Sequence, residues 1–401
     1  MLIKKKLIII ILGMQGELMM ARNKYVEELK EEQEGYSDDS LFNITSFGID
    51  LSFREIVTMY EEGDLEKPEL QRHYVWDKKE ASRFIDSILL GLPVPSIFLA
   101  KTDDDKRLIV DGYQRIMTVY DFMKRGVFGG DGKSFDLSKS EIINERWRGK
   151  TYKELTDSEQ RKIRNTPIHA IVFEQKEPRD DDSGMYQIFE RINTSGRTLK
   201  PQEIRNCVHY GEFNKLLMEL NKNKNWRNFY SPHKIGVDPR MADVELILRL
   251  FAFSYISKME EIQANQINLV KYLNNFMKIN RDFSFISKED CSNDFSHLMD
   301  FFSNSFDSNL FRNGKKDNGV FIFSKKINPA IFDSVCAATI FYLKKNNQKN
   351  YTNENIMYRY IQLLETSEYQ QAVSQRTTNI ENIKKRFNLA TSILYGIDYE
   401  W

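Results

Sequence analysis

The spacing of apolar positions changes character part-way along this chain. Up to about residue 205, short strand-like runs mix with helical stripes. Beyond it, helical stripes dominate, over 212–223, 241–257, 266–278, 294–306, 329–345, 353–366 and 380–395. Leu, Ile, Phe and Tyr recur there every three or four residues, as a buried helix face requires. In the first half, residues 20–45 read as a charged helix and a loop. Residues 47–60 predict a short strand and then a helix, through Ile49, Leu51, Ile56, Val57 and Tyr60. Residues 78–90 predict a helix with Ala81, Phe84, Ile85, Ile88 and Leu89 on one face. Gly91 ends it, and Pro93 and Pro95 forbid its continuation. Residues 96–100 and 107–110 read as strands joined into a hairpin across a turn at 103–105. Thr156 and Glu159 make a capping box for a helix to about residue 164. Residues 168–174 then alternate like a strand, and Ser183 is placed to cap a helix carrying Ile188 and Phe189 inward.

The pattern predicts an α+β protein: a mixed α/β N-terminal module followed by an α-helical C-terminal module. The expected organisation is an N-terminal extension at 1–40, the mixed module at 41–205 and the helical module at 206–401. A chain of 401 residues, 41% hydrophobic, has material for two or three packed subdomains. The charges cancel, 58 basic against 58 acidic, which excludes a whole-protein field for a polyanion. Local Lys/Arg clusters at 144–164, 222–227 and 384–386 remain candidates for phosphate contact. Cys207, Cys291 and Cys336 have no metal or redox spacing and are expected to be reduced and buried. The five histidines form no zinc pattern. Lys4–6 followed by LIIIILGM imitates a signal peptide, but the apolar run is too short to span a bilayer and no small-residue cleavage site follows. The expectation is a cytoplasmic protein without a membrane partner, with Met14, Met19 or Met20 as the initiator or the apolar run docked elsewhere.

Residues 108–120, LIVDGYQRIMTVY, are the most informative stretch. An apolar run stops at Asp111-Gly112, and a helical pattern through Ile116, Val119, Tyr120 and Met123 begins. A strand, a glycine turn and a helix start with an arginine in its first turn make an anion site. The positive end of the helix dipole and the permanently charged, forked Arg115 point at the same place. A structural turn with a surface arginine is the competing explanation. The Gly126–Gly132 segment matches no phosphate-cradling spacing and reads as a connector. The acidic run 180–182 reads as solvated loop.

Three segments together carry a resemblance: PELQRHYVWDKKEASRFIDSILLGLPVPSIFL (68–99), IVDGYQR (109–115) and IFERINTSGRTLKPQEIRN (188–206). In this order they resemble the N-terminal domain of GmrSD-type restriction endonucleases (domain of unknown function 262), in the ParB/sulfiredoxin-like superfamily. The resemblance covers roughly residues 40–260. It implies a ParB/sulfiredoxin-like N-terminal module with a nucleotide pocket, and NTP hydrolysis coupled to DNA cleavage in phage defence. The family hallmark is Asp-Gly-Gln-Gln-Arg. Here Tyr113 replaces the first glutamine, which puts hydrolysis in doubt more than binding. Full-length members also carry a histidine-asparagine-histidine nuclease domain. His297 is the sole histidine after residue 233, so the helical half lacks the ligands such a centre needs.

The resemblance implies a nucleoside-triphosphate-binding module, with hydrolysis open, that works beside a separate nuclease or methyltransferase-type defence subunit. Asp111, Gln114 and Arg115 are the candidate catalytic residues. Arg115 would meet phosphate; Asp111 would orient it, hold Mg²⁺ with the NTP, or simply close the turn. Gln114 would orient water or ribose. Gln71, Arg72, Gly112, Tyr113, Arg191, Asn193, Thr194, Glu203, Arg205 and Asn206 are the further nucleotide-binding candidates. Those at 193–206 either read a base or sugar or lock their loop by capping. Tyr74 and Trp76 are read as packing. The alternatives are a ParB-like DNA-binding regulator and a DNA nickase acting through the N-terminal domain.

Overall fold

The computed structural model describes residues 25–32, 43–66, 76–102, 105–177, 183–192, 200–209, 211–231, 238, 240–346 and 355–401. The chain divides into two units, one of residues 37–210 and one of residues 1–36 with 211–401.

The first unit is built on five strands: β1 Asn43–Ser52, β2 Leu65–Glu66, β3 Ile97–Lys101, β4 Arg107–Asp111 and β5 Pro167–Glu177. Their order in the sheet is β1-β5-β3-β4-β2. β1 pairs antiparallel with β5 and β3 with β4, while β3–β5 and β2–β4 are parallel. The helices are α1 Phe53–Glu62, α2 Lys78–Leu90, α3 Tyr113–Tyr120, α4 Asp157–Asn165, α5 Ser183–Ile192 and α6 Pro201–Val208. Local chemistry sets most of their starts. Ser52–Glu55, Asp77–Glu80 and Thr156–Glu159 form reciprocal capping boxes at α1, α2 and α4. Gly91 closes α2 in the left-handed conformation.

One sheet face carries Ile49, Leu51, Ile97, Leu99, Ile109, Ile168, Ala170 and Val172 against apolar residues of α1 to α4. The segment after α3 is tied to this core by a buried carboxylate: Asp86 of α2 accepts from Trp147 Nε1 at 2.7 Å and from Asn144 N at 3.0 Å.

The second unit is helical: α7 Glu212–Leu220, α8 Lys224–Tyr230, α9 Ala242–Ser254, α10 Leu269–Ile279, α11 Lys288–Ser305, α12 Pro329–Lys345, α13 Ile356–Glu365, α14 Ser367–Ser374 and α15 Ile380–Tyr395. Residues 329–340 of α12 are buried without a break, so this helix lies inside its unit and is apolar on all sides. Its few polar groups are therefore partnered. Ser334 meets the Tyr369 hydroxyl at 2.7 Å, and Thr339 meets that of Tyr395 at 2.6 Å. Asp333 takes two bonds from Arg249 of α9, at 3.0 and 2.6 Å. Cys291 and Cys336 are buried and unbonded.

Three features depart from the sequence expectations. Residues 25–32 form no charged α-helix. Val26 bridges Ile327, and a 3₁₀ turn at Lys30–Glu32 delivers Glu32 to Arg249 at 2.8 Å. Tertiary pairing has overridden local helix propensity there. These residues pack with the helical unit, although the sequence set 1–40 apart as an extension. Second, the helical unit contains a hairpin, β6 Arg312–Asp317 with β7 Val320–Ile327, turning at Asn318-Gly319, both at positive φ. The Asn-Gly dipeptide was its sequence signal. Third, α8 and α14 are short and carry no long stripe, so periodicity did not separate them.

The Arg249–Asp333 pair yields a stability prediction. Removing one member of a buried pair strands the other charge, at about 3–5 kcal/mol. Asp333→Ala should destabilise the protein by that amount in denaturant unfolding, whereas Lys345→Ala, which breaks an exposed contact to Glu400, should change it little.

Candidate functional site

β4 ends at Asp111, and the chain reverses into α3 through Gly112 at φ +102. A Cβ there would lie 2.3 Å from Ile97 Cγ2 and 2.9 Å from Ile97 Cβ. Both the backbone angle and the close approach to β3 require glycine. No side chain caps the N-terminus of α3. Arg115, one turn into the helix, therefore lies over the strand ends. Its Nη2 donates to Asp111 Oδ2 at 2.9 Å and to the Ser96 carbonyl at 3.2 Å. The Arg115 side chain is 16% exposed and that of Asp111 39%. Arg115 Nε is buried and has no hydrogen-bond partner among the described residues. The guanidinium is thus oriented through one nitrogen, with donor capacity left over. Sequence reasoning missed the Ser96 carbonyl, because a backbone acceptor has no side-chain signature.

Gln114 Oε1 accepts from the backbone N–H of Trp76 at 3.3 Å. The Trp76 ring packs edge-on against Phe84 of α2. This hydrogen bond brings the downstream end of the 68–76 segment to the 111–115 turn. Gln71, Arg72 and Tyr74 lie outside the described residues, as do Asn193 and Thr194 and the 180–182 run.

Tyr113 is half-buried and packs against the core of the first unit. Burial, with the nearby Tyr60 and Asp121 adding to it, pushes its phenol up to about 12. The ring is committed to packing. Arg191 is exposed in the last turn of α5. Neighbouring Glu190 has its pKa raised by burial, with Arg191 opposing.

Glu203, Arg205 and Asn206 are buried on α6. Glu203 Oε2 accepts from the Lys200 N–H at 2.7 Å, Arg205 Nε donates to Gln202 Oε1 at 2.8 Å, and Gln202 Nε2 donates to Asn206 Oδ1 at 3.1 Å. These contacts cap and brace a helix start, one of the two roles the sequence left open for them.

Several arginines of the basic clusters are spent on structure. Arg386 is fully buried, and Arg227 pairs with buried Asp243 at 2.6 Å. Arg146 pairs with Glu159 at 2.9 Å, while Arg148 donates to the Ile143 carbonyl. Among the described residues no group of three or more His, Cys, Asp or Glu is placed to hold a metal ion. Among them, too, no helix is long and apolar enough to cross a membrane.

The packing of Tyr113 gives a direct test. Tyr113→Gln should lower the melting temperature, by about 1–2 kcal/mol of stability as ring contacts are lost, and should not accelerate NTP turnover. A faster variant of unchanged stability would return Tyr113 to the role of a lost catalytic amide.

Comparison with curated proteins and with solved structures returned no match. The family model described as GmrSD restriction endonuclease, N-terminal domain, matches residues 53–210, which run from the start of α1 to just past α6. The match contains the 111–115 turn, the Trp76 anchor and the α5–α6 segment. Over residues 53–210 this chain is therefore similar to the GmrSD restriction endonuclease N-terminal domain.

Proposed function

We propose that the 111–115 turn binds the phosphates of a nucleoside triphosphate, and that the chain serves as the nucleotide-responsive part of a restriction or phage-defence system. The observation that carries this reading is the state of Arg115. It is a largely buried guanidinium, oriented by Asp111 and Ser96, whose Nε has no partner among the described residues, at the uncapped start of α3. Burying a charged donor without a partner is costly, and a phosphate oxygen would satisfy it. The helix dipole adds to the attraction. The domain name supplies the restriction context.

Mg²⁺ fits as a companion of the triphosphate. Asp111 pairs with Arg115 through Oδ2 and remains partly exposed, and Mg²⁺ commonly takes one or two carboxylates beside substrate phosphates and water. The ion would neutralise phosphate charge, while Arg115 and the α3 N-terminus would orient the phosphates. In this reading Glu203, Arg205 and Asn206 brace α6, and Arg191 is a peripheral contact. The chain would work in the cytoplasm beside a separate nuclease or methyltransferase-type subunit. Hydrolysis is left to experiment. Phosphoryl transfer needs positioned charge, which the turn has, and a positioned water, for which Gln114 is the candidate.

Arg115→Ala should weaken MgATP binding by about 1.5–3 kcal/mol in a calorimetric titration, the value of a charge-assisted hydrogen bond, without loss of fold. Arg115→Lys should recover part of it, since lysine keeps the charge and loses the fork. Equal affinity in a folded Arg115→Ala protein would remove the phosphate assignment. The purified chain with Mg²⁺ and ATP should also leave supercoiled plasmid uncut. Linearisation that survives both Asp111→Ala and Arg115→Ala would reveal a nuclease centre elsewhere in the chain.

A further inference from the structure

The sheet of the first unit has a second face. Strand alternation sends Ile49, Leu51, Ile97, Leu99, Ile168, Ala170 and Val172 into the helix-covered core. The intervening positions of β1, β5 and β3 take the opposite side. Ladder register sets Ser46 opposite Phe173, Gly48 opposite Ile171 and Asp50 opposite His169. It also sets Phe98 opposite both Ile171 and Asp111. Ser46, Gly48, Asp50 and His169 are exposed, while Phe98, Ile171 and Phe173 are partly exposed. This side is therefore open to solvent at β1 and partly so at β5, while Ala100 of β3, opposite Phe173, is buried.

The chemistry of the open side is specific. The Phe98 and Phe173 rings are stacked, with centroids 5.9 Å apart and planes 13° apart. On the next strand Ser46 stands opposite Phe173, with Ile44 and Gly48 on either side of it, so the outer flank of the ring pair borders a small exposed residue. The imidazole of His169 leans over Gly48, where a Cβ would lie 2.6 Å from Cε1, and its Nδ1 is 2.8 Å from Asp50 Oδ1. With the His169 imidazole seated over Gly48, the outer flank of Phe173 beside Ser46 is the face left for one more planar ring, a slot bounded by that imidazole. Exposed aromatic side chains on open sheets stack nucleobases in this way, with little selectivity because every base has a π-face.

Position links the slot to the phosphate turn. Phe98 stands in register with Asp111, so the ring pair starts at the turn. From β4 across β3 and β5 to β1 is three strand spacings, roughly 14 Å, the span of an extended nucleoside triphosphate. We propose that the base of the bound nucleotide stacks on the outer flank of Phe173, over Ser46 and beside His169, with the ribose crossing Phe98. This rests on the phosphate-site reading above and adds to it the stacking residues and tolerance for different bases.

Titrating the full chain with MgATP, MgGTP and magnesium tripolyphosphate separates the two ideas. Both nucleotides should bind at least about five-fold more tightly than tripolyphosphate, the lower end of what base stacking contributes. Phe173→Leu, which keeps apolar volume, should reduce nucleotide affinity to the tripolyphosphate level and leave tripolyphosphate unchanged. Phe173→Tyr should keep the preference. Ser46→Phe, at an exposed position outside the core, should fill the slot and reproduce the Phe173→Leu result. Binding that depends on Arg115 but ignores Phe173 and Ser46 would overturn the stacking proposal alone. Failure of all three ligands to bind, or binding indifferent to Arg115→Ala, would overturn the phosphate site and the slot together.

Discussion

The first unit depends on one close approach, that of Gly112 to Ile97. A side chain at residue 112 would occupy the space held by the β3 isoleucine, and the backbone at φ +102 excludes most residues on strain alone. Because the chain passes so near β3, α3 starts directly at the end of β4. Its first turn then places Arg115 within reach of both Asp111 and the Ser96 carbonyl. The same turn presents Gln114 to the Trp76 backbone, so the 68–76 segment ends beside it. Helix start and guanidinium position both follow from this one glycine.

The two units use buried charge in opposite ways. In the helical unit Arg249 is closed off on both sides, by Asp333 through a forked pair and by Glu32 from the N-terminal segment. Arg386 adds a second buried guanidinium 3.7 Å from Asp333. Such a cluster is weak as a source of net stability, because each ion must be desolvated, but it is strict about which segments meet. It fixes the register of α9 on α12 and gives residues 25–32 one place to dock. In the first unit the guanidinium of Arg115 is oriented and, among the described residues, left with an unpartnered donor. A fully compensated cation holds a fold together, whereas an incompletely compensated one at an uncapped helix start is equipped to take an anion.

Much of this protein was legible from local signals. The capping residues Thr156 and Glu159, the stop at Gly91 and the prolines after it act within a few residues of themselves. Helices Lys78–Leu90, Asp157–Asn165, Pro329–Lys345 and Ile380–Tyr395 accordingly appear where the periodicity puts them. The α+β class followed from the change of period near residue 205. The Asp-Gly turn and its arginine were also readable, since the type of chemistry is written in residue identity.

What the sequence by itself determined, then, was where helices begin and end, which faces they bury and which turn carries a cation. The tertiary structure alone decided who meets whom. Ser96 acts through a carbonyl that every residue possesses, so nothing in its identity marks it as the anchor of Arg115. Residues 25–32 owe their conformation to β7 and to Arg249, more than 200 positions away along the chain. Arg386 looked like part of a basic run available to phosphate until packing buried it. Phe98 and Phe173 became neighbours because β3 and β5 pair in parallel, a choice made by the whole sheet. Local rules act through bonds and one or two helix turns, while register, burial and the remaining valence of a buried donor exist only once distant segments have been brought together.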